Sequence, residues 1–126
     1  MLIDDIGSYL ATAGIGTLGS SIFLGNMPDA PDNAIALYQY SGNAPELVGN
    51  LESPRLTVRV RNTGYSAGME KAQDILDALH TLADQTIGGT RYLYVRATGS
   101  VNHLGRDNDN SALFTIDFIV AKELES

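Results

Sequence analysis

Apolar residues recur at helical spacing across residues 2–13, where Leu2, Ile3, Ile6, Tyr9, Leu10 and Ala13 share a side. The spacing predicts a short amphipathic helix, with Asp4 and Asp5 in a first turn whose dipole favours acids. Gly14 to Gly19 end it. Ser21 to Leu24 reads as a short strand stopped by Gly25-Asn26, and Met27 to Asn33 as turn, because two prolines and three Asx residues oppose regular structure. Ala34 to Tyr40 is a predicted strand, followed by a long loop over 41–54. Arg55 to Arg61 alternates strictly, with Leu56, Val58 and Val60 on one face and Arg55, Thr57, Arg59 and Arg61 on the other. A half-buried strand with a basic outer face follows from that alternation.

The second helix is predicted from Tyr65 to Leu82. Its apolar stripe is Tyr65, Gly68, Ala72, Ile75, Leu79 and Leu82, with Met69, Leu76 and Ala83 beside it. Thr63 and Ser66 are both candidate N-caps. Asp84 to Gly89 lead out of the helix, Thr90 to Ala97 reads as a strand, and Thr98 to Asn110 as a polar loop. Ser111 to Lys122 is the last strand, with Phe114, Ile116, Phe118 and Val120 on one face and Leu113, Thr115, Asp117 and Ile119 on the other. The tail from Glu123 to Ser126 is polar. Helices that do not alternate with every strand predict an α+β fold: a mixed, mainly antiparallel sheet with two helices packed on one face. Strand, helix and strand from Arg55 to Ala97 form one expected crossover. The expected core is Ile35, Leu37, Leu56, Val58, Val60, Ala72, Ile75, Leu76, Leu79, Phe114, Ile116 and Phe118.

Composition bounds the chemistry. A chain of 126 residues is the size of one domain, expected over 1–126. The absence of cysteine excludes a disulfide framework, a cysteine zinc site and thiol catalysis, and fits a reducing compartment. No apolar run approaches the ~18 residues of a membrane span, and no membrane association is expected. Met1 to Asp5 is acidic where a signal peptide would be basic. Fifteen acids against eight bases give a net charge of −7, which disfavours nonspecific grip on nucleic acid.

The familiar site patterns fail on context. Gly14 to Gly19 spells GxGxxG, but a helix precedes it and a strand follows, the reverse of a dinucleotide fingerprint. Asp107 to Ser111 resembles the start of a calcium loop, yet Ala112 and Phe118 stand where glycine and a bidentate glutamate are needed. His80 and His103 lack metal-pair spacing. No catalytic residue, metal or cofactor is expected, and an enzyme is not. Two charge stripes remain: Glu70, Asp74, Asp77 and Asp84 on the second helix, and Arg55, Arg59 and Arg61 on the strand. Each reads either as a solvated face or as half of a contact across a subunit boundary, with Arg55, Arg59, Arg61, Glu70, Asp74 and Asp77 as the candidate interface.

Certain segments carry a further likeness. GIGTLG, IFLGNMPDAPDN, ALYQYSG, LTVRVRNTGYSAGMEKAQDILDAL, IGGTRYLYVRA, LGRDN and FTIDFIV occur in that order, within about residues 3–122. The sequence resembles the small minor capsid proteins of long-tailed bacteriophages, related to the tail terminator (tail completion) proteins. The resemblance implies an α/β domain assembled as a hexameric ring, without catalytic residues or cofactor. It implies a virion location at the tail–head junction after assembly in host cytoplasm. The implied partners are further copies of the chain, the tail tube protein and the head–tail connector protein. Genomic DNA would pass through the lumen without specific binding, and an acidic lumen would repel phosphate. A head-completion or connector component, or a capsid decoration protein, is the alternative virion role.

Overall fold

The computed structural model describes residues 2–43, 51–107 and 110–123. The opening periodicity forms helix α1, Leu2–Thr12, with Leu2, Ile6 and Leu10 buried one turn apart. Strands β1 (Ile22–Leu24), β2 (Ala34–Asn43) and β3 (Leu51–Asn62) follow. Next come helix α2 (Tyr65–His80) and strands β4 (Ala83–Ile87), β5 (Thr90–Ala97), β6 (Asn102–Arg106) and β7 (Ala112–Glu123). This is the expected α+β fold, with a mixed, mainly antiparallel sheet of seven strands. The strand order is β1-β2-β3-β7-β5-β4, with β6 also paired to β7. Only β1 and β2 run parallel among the paired strands described.

β7 organises the sheet. Its whole length pairs with β3, Leu56 opposite Phe118, Val58 opposite Ile116 and Val60 opposite Phe114. Its other edge is shared: β5 lies opposite Phe118 to Lys122, and β6 opposite Ala112 to Thr115. The even-numbered residues of β3 and β7 therefore line one face, and α2 packs on it through Gly68, Ala72, Ile75 and Leu79. α1 touches β1 and β2 near one edge of the sheet and β4 at the opposite edge. Such contacts require a curled sheet, whose open side α1 spans. The result is one contiguous apolar cluster that includes every residue of the expected core except Leu76, which is half-buried against it.

The structure departs from the expected elements in four places. The 41–54 loop is shorter at both ends, since Ser41 to Asn43 belong to β2 and Leu51 to Ser53 pair within β3; residues 44–50 lie outside the described residues. Asp84 to Gly89 contain β4 and a two-residue turn at Gly88-Gly89, with φ of 59° and 82°. Consecutive positive φ values are what a tight hairpin needs, and glycine adopts them without a Cβ clash. The 98–110 segment contains β6, an exposed strand held by its pairing to β7. α2 is capped by neither Thr63 nor Ser66: Gly64 is the N-cap, and its N–H donates to Asn62 Oδ1 at 3.0 Å.

Asp5 also does more than meet a helix dipole. It is 7% exposed, and its Oδ2 accepts the Tyr92 hydroxyl at 2.6 Å, joining α1 to β5. Tyr92→Phe should destabilise the fold by about 1–3 kcal/mol, because it removes a donor from a buried carboxylate. Thermal unfolding checks this, and an unchanged midpoint would mean that the carboxylate turns to solvent at no cost.

Candidate functional site

Arg55, Thr57 and Arg59 of β3 alternate with the buried Leu56, Val58 and Val60 and so face away from both helices, onto an open side of the sheet. Cross-strand pairing sets their company. Arg55 lies between Tyr40 and Ile119, Thr57 between Tyr38 and Asp117, and Arg59 between Ala36 and Thr115. Arg55 is exposed, as is Tyr40 at 53%. The Arg59 guanidinium carbon lies 6.0 Å from the centre of the Tyr38 ring, and Tyr38 and Tyr40 stack at 6.5 Å. Arg59 Nε is buried without a hydrogen-bond partner among the described residues. At the centre, Thr57 Oγ1 donates to Asp117 Oδ1 at 2.6 Å. Farther across, Arg96 sits 4.3 Å over the Tyr94 ring. Arginine and tyrosine are among the side chains enriched in protein interfaces, where they offer large area and directional bonds.

Arg61 leaves the expected row. It is 7% exposed, and its guanidinium turns to the end of the 27–33 turn: Nε donates to Asp32 O at 3.1 Å and NH2 to Pro31 O. The surface row is therefore Arg55 and Arg59. Sequence reasoning missed the aromatic half of this face. Alternation along AIALYQY could have found Tyr38 and Tyr40. Tyr94 and Arg96 were hidden by the register shift between Tyr92 and Tyr94.

The acidic stripe lies on the other side of the molecule. Glu70, Asp74 and Asp77 are exposed on α2, away from its buried stripe. Asp77 Oδ1 accepts from Gln73 Nε2 at 3.0 Å; among the described residues Glu70 and Asp74 have no ion-pair or hydrogen-bond partner. The sheet stands between the basic and acidic patches, so one chain cannot bring them together. Asp84 joins a different group, bonding Arg91 at 2.8 Å, with Glu123 on the same guanidinium at 3.3 Å. These two carboxylates raise the pKa of Arg91 above its ordinary value, Asp84 having the larger effect.

The remaining candidates have local roles. His80 Nδ1 accepts the Ala97 N–H at 3.0 Å. His103 meets Tyr65 edge-on at 4.9 Å and lies 5.1 Å from the Phe114 ring. The Gly14 to Gly19 segment follows α1 and precedes β1, with Thr17 N–H bonded to Ser21 Oγ at 2.8 Å. In the 107–111 turn, Asp107 Oδ1 accepts the Ser111 N–H at 2.9 Å, while residues 108 and 109 lie outside the described residues.

Comparison with known proteins gives three findings. The sequence profile of the bacteriophage tail terminator protein family matches residues 9–124. No curated protein sequence matches the chain. Among solved structures, a chain of the virion of a native gene transfer agent particle superposes with a TM-score of 0.75 at 15% identity, over 98% of this chain and 95% of that one. A second solved chain superposes with a TM-score of 0.58 at 13% identity, over 99% and 95% of the two chains. At these identities the superpositions show a shared fold.

Proposed function

This chain belongs to the bacteriophage tail terminator family, and on that premise we propose that it is a structural protein of the virion that assembles into a ring. The ring is hexameric, caps the finished tail tube and joins the tail to the head at the connector. Its role is structural rather than catalytic. The observation that carries the assignment is the family match across residues 9–124, nearly the whole chain.

The charge arrangement supports a head-to-tail ring. Such a contact needs two different complementary patches on each copy, and a ring results when the rotation closes. Arg55 and Arg59 on the open sheet face are one patch; Glu70, Asp74 and Asp77 on α2 are the other. A carboxylate from the next copy would meet the Arg59 guanidinium beside the Tyr38 ring. Individual exposed ion pairs contribute only ~0–1 kcal/mol, so the aromatic surface of Tyr38 and Tyr40 must add to them. Arg61 takes part indirectly, by holding the 27–33 turn beside β3.

A charge reversal tests the contact. Arg59→Glu should weaken assembly on tails, and Asp74→Arg added to it should restore part of the loss. If Arg59→Glu assembles as well as the parent does, other surfaces close the ring. Averaged virion images test the location: density at the neck with sixfold stoichiometry is expected. Density on the icosahedral shell would instead assign a capsid decoration role.

A further inference from the structure

Between the exit of α1, the start of β2 and the flank of α2 lies a pocket of about 240 Å³. Ile15, Ile35 and Val60 give it an apolar wall; Arg61 and Lys71 give it two cations. Among the described residues both cations bond only backbone carbonyls. Arg61 uses Nε and NH2 on Asp32 O and Pro31 O, and Lys71 Nζ donates to Ile15 O at 2.8 Å. Among the described residues neither has a carboxylate within ion-pair distance. That is unusual for Arg61, because a charge this buried is ordinarily paired. Its NH1 nitrogen has no protein partner among the described residues.

The neutral polar groups of the pocket add donors. Asn33 Oδ1 accepts the Thr63 N–H and Asn62 Oδ1 accepts the Gly64 N–H, each at 3.0 Å. A backbone N–H can bond only the oxygen of an amide, so each side chain keeps its NH2 as a spare donor. The residues that line the space thus include a lysine, an arginine and two asparagines, and no acidic residue among the described ones. Small-molecule sites usually enclose about 300–1,000 Å³, more than is available here.

We infer that this pocket receives one carboxylate on a short aliphatic stem, a glutamate or aspartate side chain presented by another protein chain. The stem packs on Ile15, Ile35 and Val60, and the carboxylate oxygens accept from Arg61 NH1 and Lys71 Nζ. The pocket is distinct from the Arg55 and Arg59 patch, and this inference does not depend on ring closure.

The test is an NMR titration of the isotopically labelled chain with N-acetyl-glutamate amide, a capped side chain. Saturable shifts at Ile15, Asn33, Arg61 and Lys71 are expected, with none on addition of the capped glutamine, which has the same shape without the charge. Lys71→Gln keeps an N–H for Ile15 O but removes the cation, and should weaken binding by about tenfold, the equivalent of one charge-assisted hydrogen bond. Absence of saturation, equal shifts with the capped glutamine, or undiminished binding by Lys71→Gln would overturn the inference. Tighter binding of inorganic phosphate would reassign the pocket to phosphate groups. Tighter binding of free acetate would reassign it to small soluble carboxylates.

Discussion

Phe114→Ala is expected to lower the free energy of unfolding by about 3–5 kcal/mol. Phe114 is fully buried on β7, opposite Val60, at the point where α2 crosses the sheet. The helix comes close there because residue 68 is glycine. A Cβ at that position would lie 2.5 Å from Phe114 Cε2 and 3.0 Å from Asn62 Cβ. The Phe114 ring is also flanked by Tyr65 at 5.5 Å and His103 at 5.1 Å, which cover it from solvent. Removing the ring loses its transfer free energy and leaves a cavity bounded by paired strands and a helix backbone, which collapse poorly. Urea unfolding would show a lower midpoint with an unchanged slope. A loss below about 1.5 kcal/mol would mean that Tyr65 and His103 swing into the space, and that α2 is anchored elsewhere.

That contact shows which elements were legible. β3, α2 and β7 each carry one strong period, two for the strands and 3.6 for the helix, because each buries one face continuously. Their apolar stripes meet as the pattern requires. β4 and β6 carry no such period. Ala83 to Gln85 and Asn102 to Leu104 are exposed on both faces, and these strands exist because β5 and β7 offer free edges. Pairing of that kind is a tertiary effect, absent from the local pattern. β5 shows a further limit. Tyr92 pairs with Lys122 and is buried, whereas Tyr94 pairs with Ala121 and carries Arg96 on the open face. In an unbroken strand these tyrosines would share a face. The register shift between them separates the two, since an extra residue reverses the alternation beyond it.

The candidate site was legible to a similar degree. Strict alternation placed Arg55 and Arg59 away from the core, and helical spacing placed Glu70, Asp74 and Asp77 on the outer side of α2. Alternation could not show that Arg61 would be drawn to Pro31 and Asp32, because that depends on where a 30-residue-distant turn returns to the sheet. It also could not show that Arg61 and Lys71, ten positions apart, would line one pocket.

Glu52→Leu is expected to cost about 3 kcal/mol, because it strips a buried ammonium of a carboxylate partner. Lys122 is 2% exposed, and its Nζ lies 2.6 Å from Glu52 Oε1. The two residues are directly opposite across β3 and β7, and Lys122 is opposite Tyr92 across β7 and β5. Lys122 thus sits on the helix-covered face of the sheet, where Phe118 and Val120 precede it. The intact pair gains little over apolar side chains, since desolvating both ions offsets most of their attraction. A single substitution is different, because the remaining charge keeps its desolvation cost and loses the attraction. The paired substitution Glu52→Leu with Lys122→Leu should therefore recover most of the loss. Chemical unfolding of the parent, both single variants and the double variant measures the coupling directly. If Glu52→Leu alone costs less than about 1 kcal/mol, the lysine is satisfied by its other contacts, and the Glu52 pair does not hold β3 to β7 at this end of the sheet.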